Sequence, residues 1–293
     1  MKPTGSLPAV NSKTEIASWL NRAIQKLKGV SIEEPGLEGQ LLLAEVIGKE
    51  RSFVLAHPEA VLSTEQVEQA DRLLVRRLSG EPLPYILGRW DFYGRTFKVR
   101  SAALIPRPET ELLVEEALRW LHDHPSALYV CDVGTGSGVI AVTVALEVPT
   151  NQVTAIDISK EALTLAERNI QHLHLISRIN CIQNDLLEGI ESSFDVILAN
   201  LPYVPSGDPD LTERIKFEPK LALDGGFDGL DKVRRLLQQC VDRINRPGII
   251  LLELDYRQGA AARALAMNLF PKSSISILQD LAGLDRVLKI EVP

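Results

Sequence analysis

Cysteine is scarce: 3 of 293 residues, standing far apart as Cys131, Cys181 and Cys240. Any disulfide scheme leaves one of them over, and no two sit at metal-ligand spacing, so neither a disulfide scaffold nor a metal site is expected. A reducing, cytoplasmic setting is the default. No apolar run approaches the roughly 20 residues that a membrane-spanning helix needs, so no membrane partner is expected. The opening MKPTGSLPAV lacks the charged start, apolar core and cleavage site of a signal peptide. Aromatic residues make up 5% of the chain, which gives little for stacking on nucleic acid bases. Positive charge is also short. The formal net charge is −7; residues 1–89 carry 11 Lys and Arg against 11 Asp and Glu, so the acidic excess lies in residues 90–293. An acidic body argues against a long phosphate-binding track, and no direct nucleic acid partner is expected.

What is present is an ordinary globular composition, 45% hydrophobic and 24% charged, in a chain with room for a large domain and a small one. Residues 12–80 read as helices. Ser12 and Glu15 have capping-box spacing before an apolar stripe of Ile16, Trp19, Leu20, Ala23, Ile24 and Leu27. LEGQLLLAEVIG reads as a second helix with Gly48 as its C-terminal cap, and Ser63 with Gln66 repeats the capping spacing before a helix that ends near Ser79–Gly80. EPLPYILGRW marks a boundary, and DFYGRTFKV alternates as a short β-hairpin around Gly94. The expected domains are a helical one over 1–89, a hairpin linker over 90–105 and a larger one over 106–293. In the first, Lys26, Lys28, Arg72, Arg76 and Arg77 offer a small RNA contact or, more commonly, a solvated helix face.

From residue 106 helices and strands alternate. A helix over PRPETELLVEEALRWL, with Pro108 preset for its first turn, leads into ALYVCDV; QVTAID, INCIQND, FDVILAN and GIILLEL follow as strands, and SISILQD with RVLKIEV closes as an antiparallel edge. This is a doubly wound, Rossmann-like α/β sheet, whose ligand site belongs at the carboxyl ends of the strands.

The turn after the first of these strands is Asp132-Val133-Gly134-Thr135-Gly136-Ser137-Gly138. Alternate glycines let the backbone bend sharply and approach a ligand, although such a loop alone serves a plain tight turn as readily. Val139 stands where the dinucleotide fingerprint requires glycine, which disfavours a nicotinamide dehydrogenase. Asp157, followed by Ile158, ends the second strand about 20 residues on, where an acid accepts ribose hydroxyls. Asp185 ends the third, placed for an adenine amine, with Leu186 as an apolar platform. Each acid alone could be a helix cap; three successive strand ends supplying glycines, an acid and an acid fit an adenosine ligand better. With no phosphate-binding Lys or Arg in the loop, that ligand is S-adenosylmethionine rather than a nucleotide. Asp132 reads as a buried brace for the turn.

The fourth strand ends in Asn200-Leu201-Pro202-Tyr203, beside the place of the cofactor's methyl group. A planar NH2 group is a poor nucleophile because its lone pair is delocalised. The Asn200 side-chain oxygen and the Leu201 carbonyl could accept its two hydrogens, Pro202 would stiffen the turn, and Tyr203 would offer a flat face. An ordinary Asn-x-Pro turn is the plainer reading of those four residues in isolation. Enzymes that methylate adenine amines use the same chemistry, and a non-catalytic cofactor-binding module is the rival from another class; intact Asn200, Pro202 and Tyr203 speak against the module.

Residues 80–293 resemble the release factor glutamine methyltransferases, most specifically in LIPRPETE and FEPKLALDGGFDGLD, with EPLPYILGRWDFYGRTFKV, DVGTGSG, AIDISKEAL and DLAGLDRVL in support. The resemblance implies a class I S-adenosylmethionine-dependent methyltransferase fold. It implies methylation of the glutamine side-chain amide in the Gly-Gly-Gln motif of peptide chain release factors, with the helical domain helping to dock the factor and the protein a monomer. It also implies that Arg107, Pro108, Glu109 and Thr110 lie by the active site. Two positions depart from the family pattern: Leu201 stands where the family has proline, and Asp255 where it usually has glycine.

Overall fold

A computed structural model describes residues 14–209, 211 and 216–293, and these part into two compact units between Leu87 and Gly88. In the first unit, strands β1 (Thr14–Glu15) and β2 (Val61–Leu62) pair antiparallel. Helices run over Ile16–Lys28, Pro35–Ile47, Arg51–Ala56, Thr64–Leu78 and Leu83–Leu87. The expected stripe is the buried one: Ile16, Trp19, Ala23 and Leu27 close on Leu42, Leu43 and Leu74, and the Trp19 indole donates to Asp71 Oδ1 at 2.8 Å. Gly48 caps the second helix in the left-handed region, and Ser63 with Gln66 forms a reciprocal capping box.

The first helix begins differently from the expectation. Ser12 lies outside the described residues, and Glu15 is the N-cap without a side-chain bond. The chain enters from the β1 pairing, and the Ile16 and Ala17 amides donate to the Ala60 and Pro58 carbonyls at 2.9 Å. Backbone partners thus do the work of a cap. The basic residues of this unit are largely engaged: Arg77 pairs with Glu38 and Arg76 with Glu81, each at 2.6 Å.

The second unit opens with a hairpin, β3 (Arg89–Phe92) and β4 (Arg95–Lys98), turned at Tyr93 and Gly94, both at positive φ. Two left-handed residues match the twist of a tight hairpin. Phe92 and Phe97 are buried in this unit's core and meet edge to face. The helix expected over PRPETELLVEEALRWL, with Pro108 in its first turn, starts at Thr110 with Glu109 as N-cap. Pro108 lies in the turn before it, where the Arg107 and Pro108 carbonyls accept from the Thr110 and Glu111 amides.

The main strands are β5 (Tyr129–Val133), β6 (Gln152–Asp157), β7 (Ile179–Gln183), β8 (Phe194–Ala199), β9 (Ile244–Glu253), β10 (Ser274–Gln279) and β11 (Asp285–Val292). Their order is β10-β11-β9-β8-β5-β6-β7. β5 through β9 are parallel, and β11 and β10 are added antiparallel at one edge. Alternate residues face opposite sides: Val130, Val196, Leu198, Ile249 and Leu251 join one core layer, and Cys131, Val133, Ile197, Ile250 and Leu252 the other. Sequence order reverses direction between β5 and β8, which opens a crevice at their carboxyl ends. Among the described residues no helix is long and apolar enough to cross a membrane, and no cluster of His, Cys, Asp and Glu suits a metal ion.

Candidate active site

β5 delivers the chain into a turn in which Gly134, Gly136 and Gly138 have φ of 76°, 56° and 83°. L side chains rarely adopt that region. A Cβ on Gly138 would also lie 3.1 Å from the Ala166 Cβ, so glycine seats the turn against the helix Lys160–His172. Asp132, fully buried, accepts from the Thr135 hydroxyl at 2.7 Å and the Ala141 amide at 3.1 Å. Burial pushes its pKa to about 7. It is the brace that its position implies. Thr135 and Ser137 are buried as well, and the Ser137 carbonyl accepts from Asn169. These two residues and Gly138 shape the turn, and the cleft beside it is lined by Gly134 and Gly136.

Asp157 ends β6 with one carboxylate oxygen accepting from the Gly136 amide and the other from the Ser159 amide, both at 2.9 Å. The carboxylate is locked in place, and each oxygen keeps a second acceptor position. Burial raises its pKa above the usual carboxylate value, against the pull of those amides. Ile158 lies next to it on the cleft wall. Asp185 differs from the expectation: β7 ends at Gln183, and Asp185 lies in the following turn, where it accepts from Arg235 at 2.8 Å. It lines the cleft as an ion-paired acid. Leu186, at φ 55°, lines the cleft beside it. Asn184 shapes this turn by donating to the Leu186 and Glu188 carbonyls.

These groups and Asn200, Leu201 and Pro202 line one cleft. Ala102–Leu104, Leu221 and Lys232 add to its wall; Leu104 and Leu221 belong to the LIPRPETE and FEPKLALDGGFDGLD stretches.

On the acceptor side, Asn200 Nδ2 donates to the Thr110 hydroxyl at 3.0 Å, which donates to Glu253 Oε2 at 2.6 Å. The Tyr203 hydroxyl donates to Glu253 Oε1 at 3.3 Å. Asn200 Oδ1 is left buried with no partner. Among the described residues three buried side-chain polar atoms are orphaned in this way, and Asn200 alone of the three lines the cleft.

Behind this turn lies the FEPKLALDGGFDGLD segment. A Cβ on Gly225 would sit 2.7 Å from the Pro202 carbonyl oxygen, and one on Gly229 2.1 Å from that of Tyr203. Only glycine permits so close an approach. Gln258 donates to the Tyr203 and Asp228 carbonyls, and Val204 is bonded to Leu223 and Gly225. Arg107 reaches into the same segment, its Nη2 donating to both carboxylate oxygens of buried Glu218 at 2.7 and 2.8 Å. Thr110 is the one residue of the Arg107–Thr110 group that bonds to Asn200, and Glu109 acts as helix N-cap. Asp255 binds Arg257 through its own loop.

The parallel sheet, the glycine turn and Asp157 at the end of β6 define a class I S-adenosylmethionine-dependent methyltransferase. A methyltransferase from Pyrococcus furiosus shares the fold at a TM-score of 0.51 and 17% identity, over 76% of this chain and 97% of that one. Residues 109–224 match the methyltransferase small domain and residues 18–88 the PrmC N-terminal domain. The release factor glutamine methyltransferase of Neisseria gonorrhoeae is 44% identical over 86% of this chain and 92% of its own length. That of Escherichia coli is 38% identical over 85% and 89%. The chain belongs to the release factor glutamine methyltransferase family.

Proposed function

We propose that this chain transfers a methyl group from S-adenosylmethionine to the side-chain amide nitrogen of the glutamine in the Gly-Gly-Gln motif of peptide chain release factors. One observation carries the reading: Asn200 Oδ1 is buried, unpartnered and on the cleft wall. A buried acceptor without a donor costs about 1–3 kcal/mol, a cost offset when a ligand brings the missing hydrogen. The primary amide of glutamine brings two.

The cofactor, when bound, supplies an electrophilic methyl group on a sulfonium. Gly134 and Gly136 give it room against the backbone, Asp157 offers oxygens for ribose hydroxyls, and Leu186 offers an apolar surface. Asn200 Oδ1 and the Leu201 carbonyl accept the two amide hydrogens of the substrate. Holding both keeps the nitrogen lone pair directed at the methyl and stabilises the positive charge that grows on nitrogen. Pro202 restrains Leu201 to extended backbone, and the Tyr203 ring gives the planar amide a face to rest on. No protein base is required, because the nitrogen proton becomes acidic as the bond forms. The helical unit around residues 18–88 is assigned to docking the release factor.

The test is transfer of labelled methyl to a purified bacterial release factor and to its Gly-Gly-Gln→Gly-Gly-Ala variant. Mass spectrometry should place one methyl on the glutamine peptide and none on the variant. Label on both would mean another target, and adenine-containing nucleic acid would be tried next.

The proline-to-leucine departure gives a smaller test. Leu201 is buried, and its Cδ2 lies 3.0 Å from where a Cβ on Gly134 would be. Leu201→Pro keeps the carbonyl and the following proline. It is expected to give the same product with kcat changed by less than about tenfold. An inactive variant with cofactor still bound would contradict the carbonyl's role.

A further inference from the structure

The Asn200 oxygen is useful only if the side-chain amide is turned the right way, and an amide in a site that must admit a substrate has two nearly isosteric orientations. Two hydrogen bonds behind it decide between them. Glu253 is 2% exposed at the end of β9 and, when ionised, can only accept. The Thr110 hydroxyl has one proton and gives it to Glu253 Oε2 at 2.6 Å. Its oxygen then offers lone pairs alone to Asn200, so the NH2 group must face Thr110, as it does at 3.0 Å. The opposite orientation would set the Asn200 oxygen against the Thr110 oxygen with no proton between them.

We propose that Thr110 and Glu253 are positioning residues for methyl transfer: Glu253 takes the Thr110 hydroxyl proton, Thr110 holds the Asn200 NH2 group, and the Asn200 oxygen is thereby aimed at the acceptor amide. The proposal rests on the acceptor role given to Asn200 above. The chain of bonds spans helix, turn and strand, with Tyr203 donating to the second oxygen of the same carboxylate at 3.3 Å, so one buried acid orders both sides of the acceptor pocket. Protonating Glu253 would add a donor, release the Thr110 proton and remove the directionality. Burial pushes the Glu253 pKa to about 7 against the Thr110 and Tyr203 hydrogen bonds, with Glu109 raising it and Arg286 lowering it. Ionised Glu253 therefore predominates above that value, and kcat is expected to rise with pH through it.

The test compares Glu253→Gln, Thr110→Val, Thr110→Ser and Asn200→Ala. Glutamine can donate to Thr110, and valine removes the hydroxyl at nearly constant shape. Both should lower kcat on the order of 10²-fold, while cofactor affinity by calorimetry and KM for the release factor stay within about twofold. Thr110→Ser should restore the rate to within about threefold of the parent. Glu253→Gln should also flatten the rise of kcat between pH 6 and 8. In the cofactor-free chain, the 15N-labelled Asn200 side-chain protons should exchange slowly in the parent and in Thr110→Ser, and fast in Thr110→Val.

Parent-like kcat in both Glu253→Gln and Thr110→Val overturns the proposal. So does a Thr110→Ser rate as low as that of Thr110→Val, or a loss of cofactor affinity as large as the loss of kcat. If Glu253→Gln does not fold, the two Thr110 variants decide. Full activity in Asn200→Ala would instead sink the acceptor role itself; loss there alongside parent-like Glu253→Gln and Thr110→Val would sink only the positioning role.

Discussion

Asn200→Ala should lower kcat for methyl transfer on the order of 10³-fold and leave the dissociation constant of S-adenosylmethionine within about threefold of its parent value. The asymmetry comes from what each side of Asn200 does. Its NH2 group is spent on Thr110, a contact within the protein. Its oxygen is unpartnered and lies on the cleft wall, so removing it takes away an acceptor that matters most when charge develops on the substrate nitrogen. Cofactor contacts assigned to the glycine turn, Asp157 and Leu186 come from other strands and are untouched. Losing the Thr110 bond costs about 1 kcal/mol of stability, too little to unfold the chain. Single-turnover kinetics with a release factor and calorimetry with the cofactor separate the two effects. Equal losses in both would make Asn200 a cofactor residue and move the acceptor role elsewhere.

Asp157→Ala should act the other way, weakening cofactor binding by about 2 kcal/mol or more, roughly 30-fold in affinity. The carboxylate is held by the Gly136 and Ser159 amides, so it meets ribose hydroxyls without further ordering. Alanine removes that anchor and also leaves two backbone amides without acceptors, loosening the glycine turn. The same carboxylate gives binding a pH dependence. Its pKa is raised by burial, and the charged form is the one that accepts strongly from hydroxyls. Affinity should therefore be full above the raised pKa and fall as pH drops through it. Calorimetry from neutral pH down into the carboxylate range reads the slope, which Asp157→Ala should flatten. An unchanged affinity in the variant would take Asp157 out of the site.

Local pattern and short-range chemistry made most of this molecule legible. β5 through β9 are continuous apolar runs because parallel strands are buried on both faces, and their ends were marked by glycine, aspartate and asparagine. What stayed hidden depends on distance along the chain. Glu253 reads as the last residue of an apolar strand, and its partner Thr110 lies 143 positions away; a lone acid in IILLE was the only hint. Nothing near Asp185 in sequence announces its ion-pair partner Arg235, 50 positions on. Ala60 and Pro58, which take the Ile16 and Ala17 amides, are remote in the same way. The glycines of DGGFDG could be counted from sequence, but the Pro202 and Tyr203 carbonyls that require them could not.

The close approach of Gly225 and Gly229 to the Pro202 and Tyr203 carbonyls bears on protein engineering. Asn-Leu-Pro-Tyr is four residues, short enough to tempt transplantation onto any parallel sheet. Here the tetrapeptide is a casting, and its mould is a double-glycine loop behind it, a threonine from a helix before it and a glutamate from the neighbouring strand. A graft of the four residues alone would carry the letters of the site without its shape. A successful transplant would have to move at least three separated segments together.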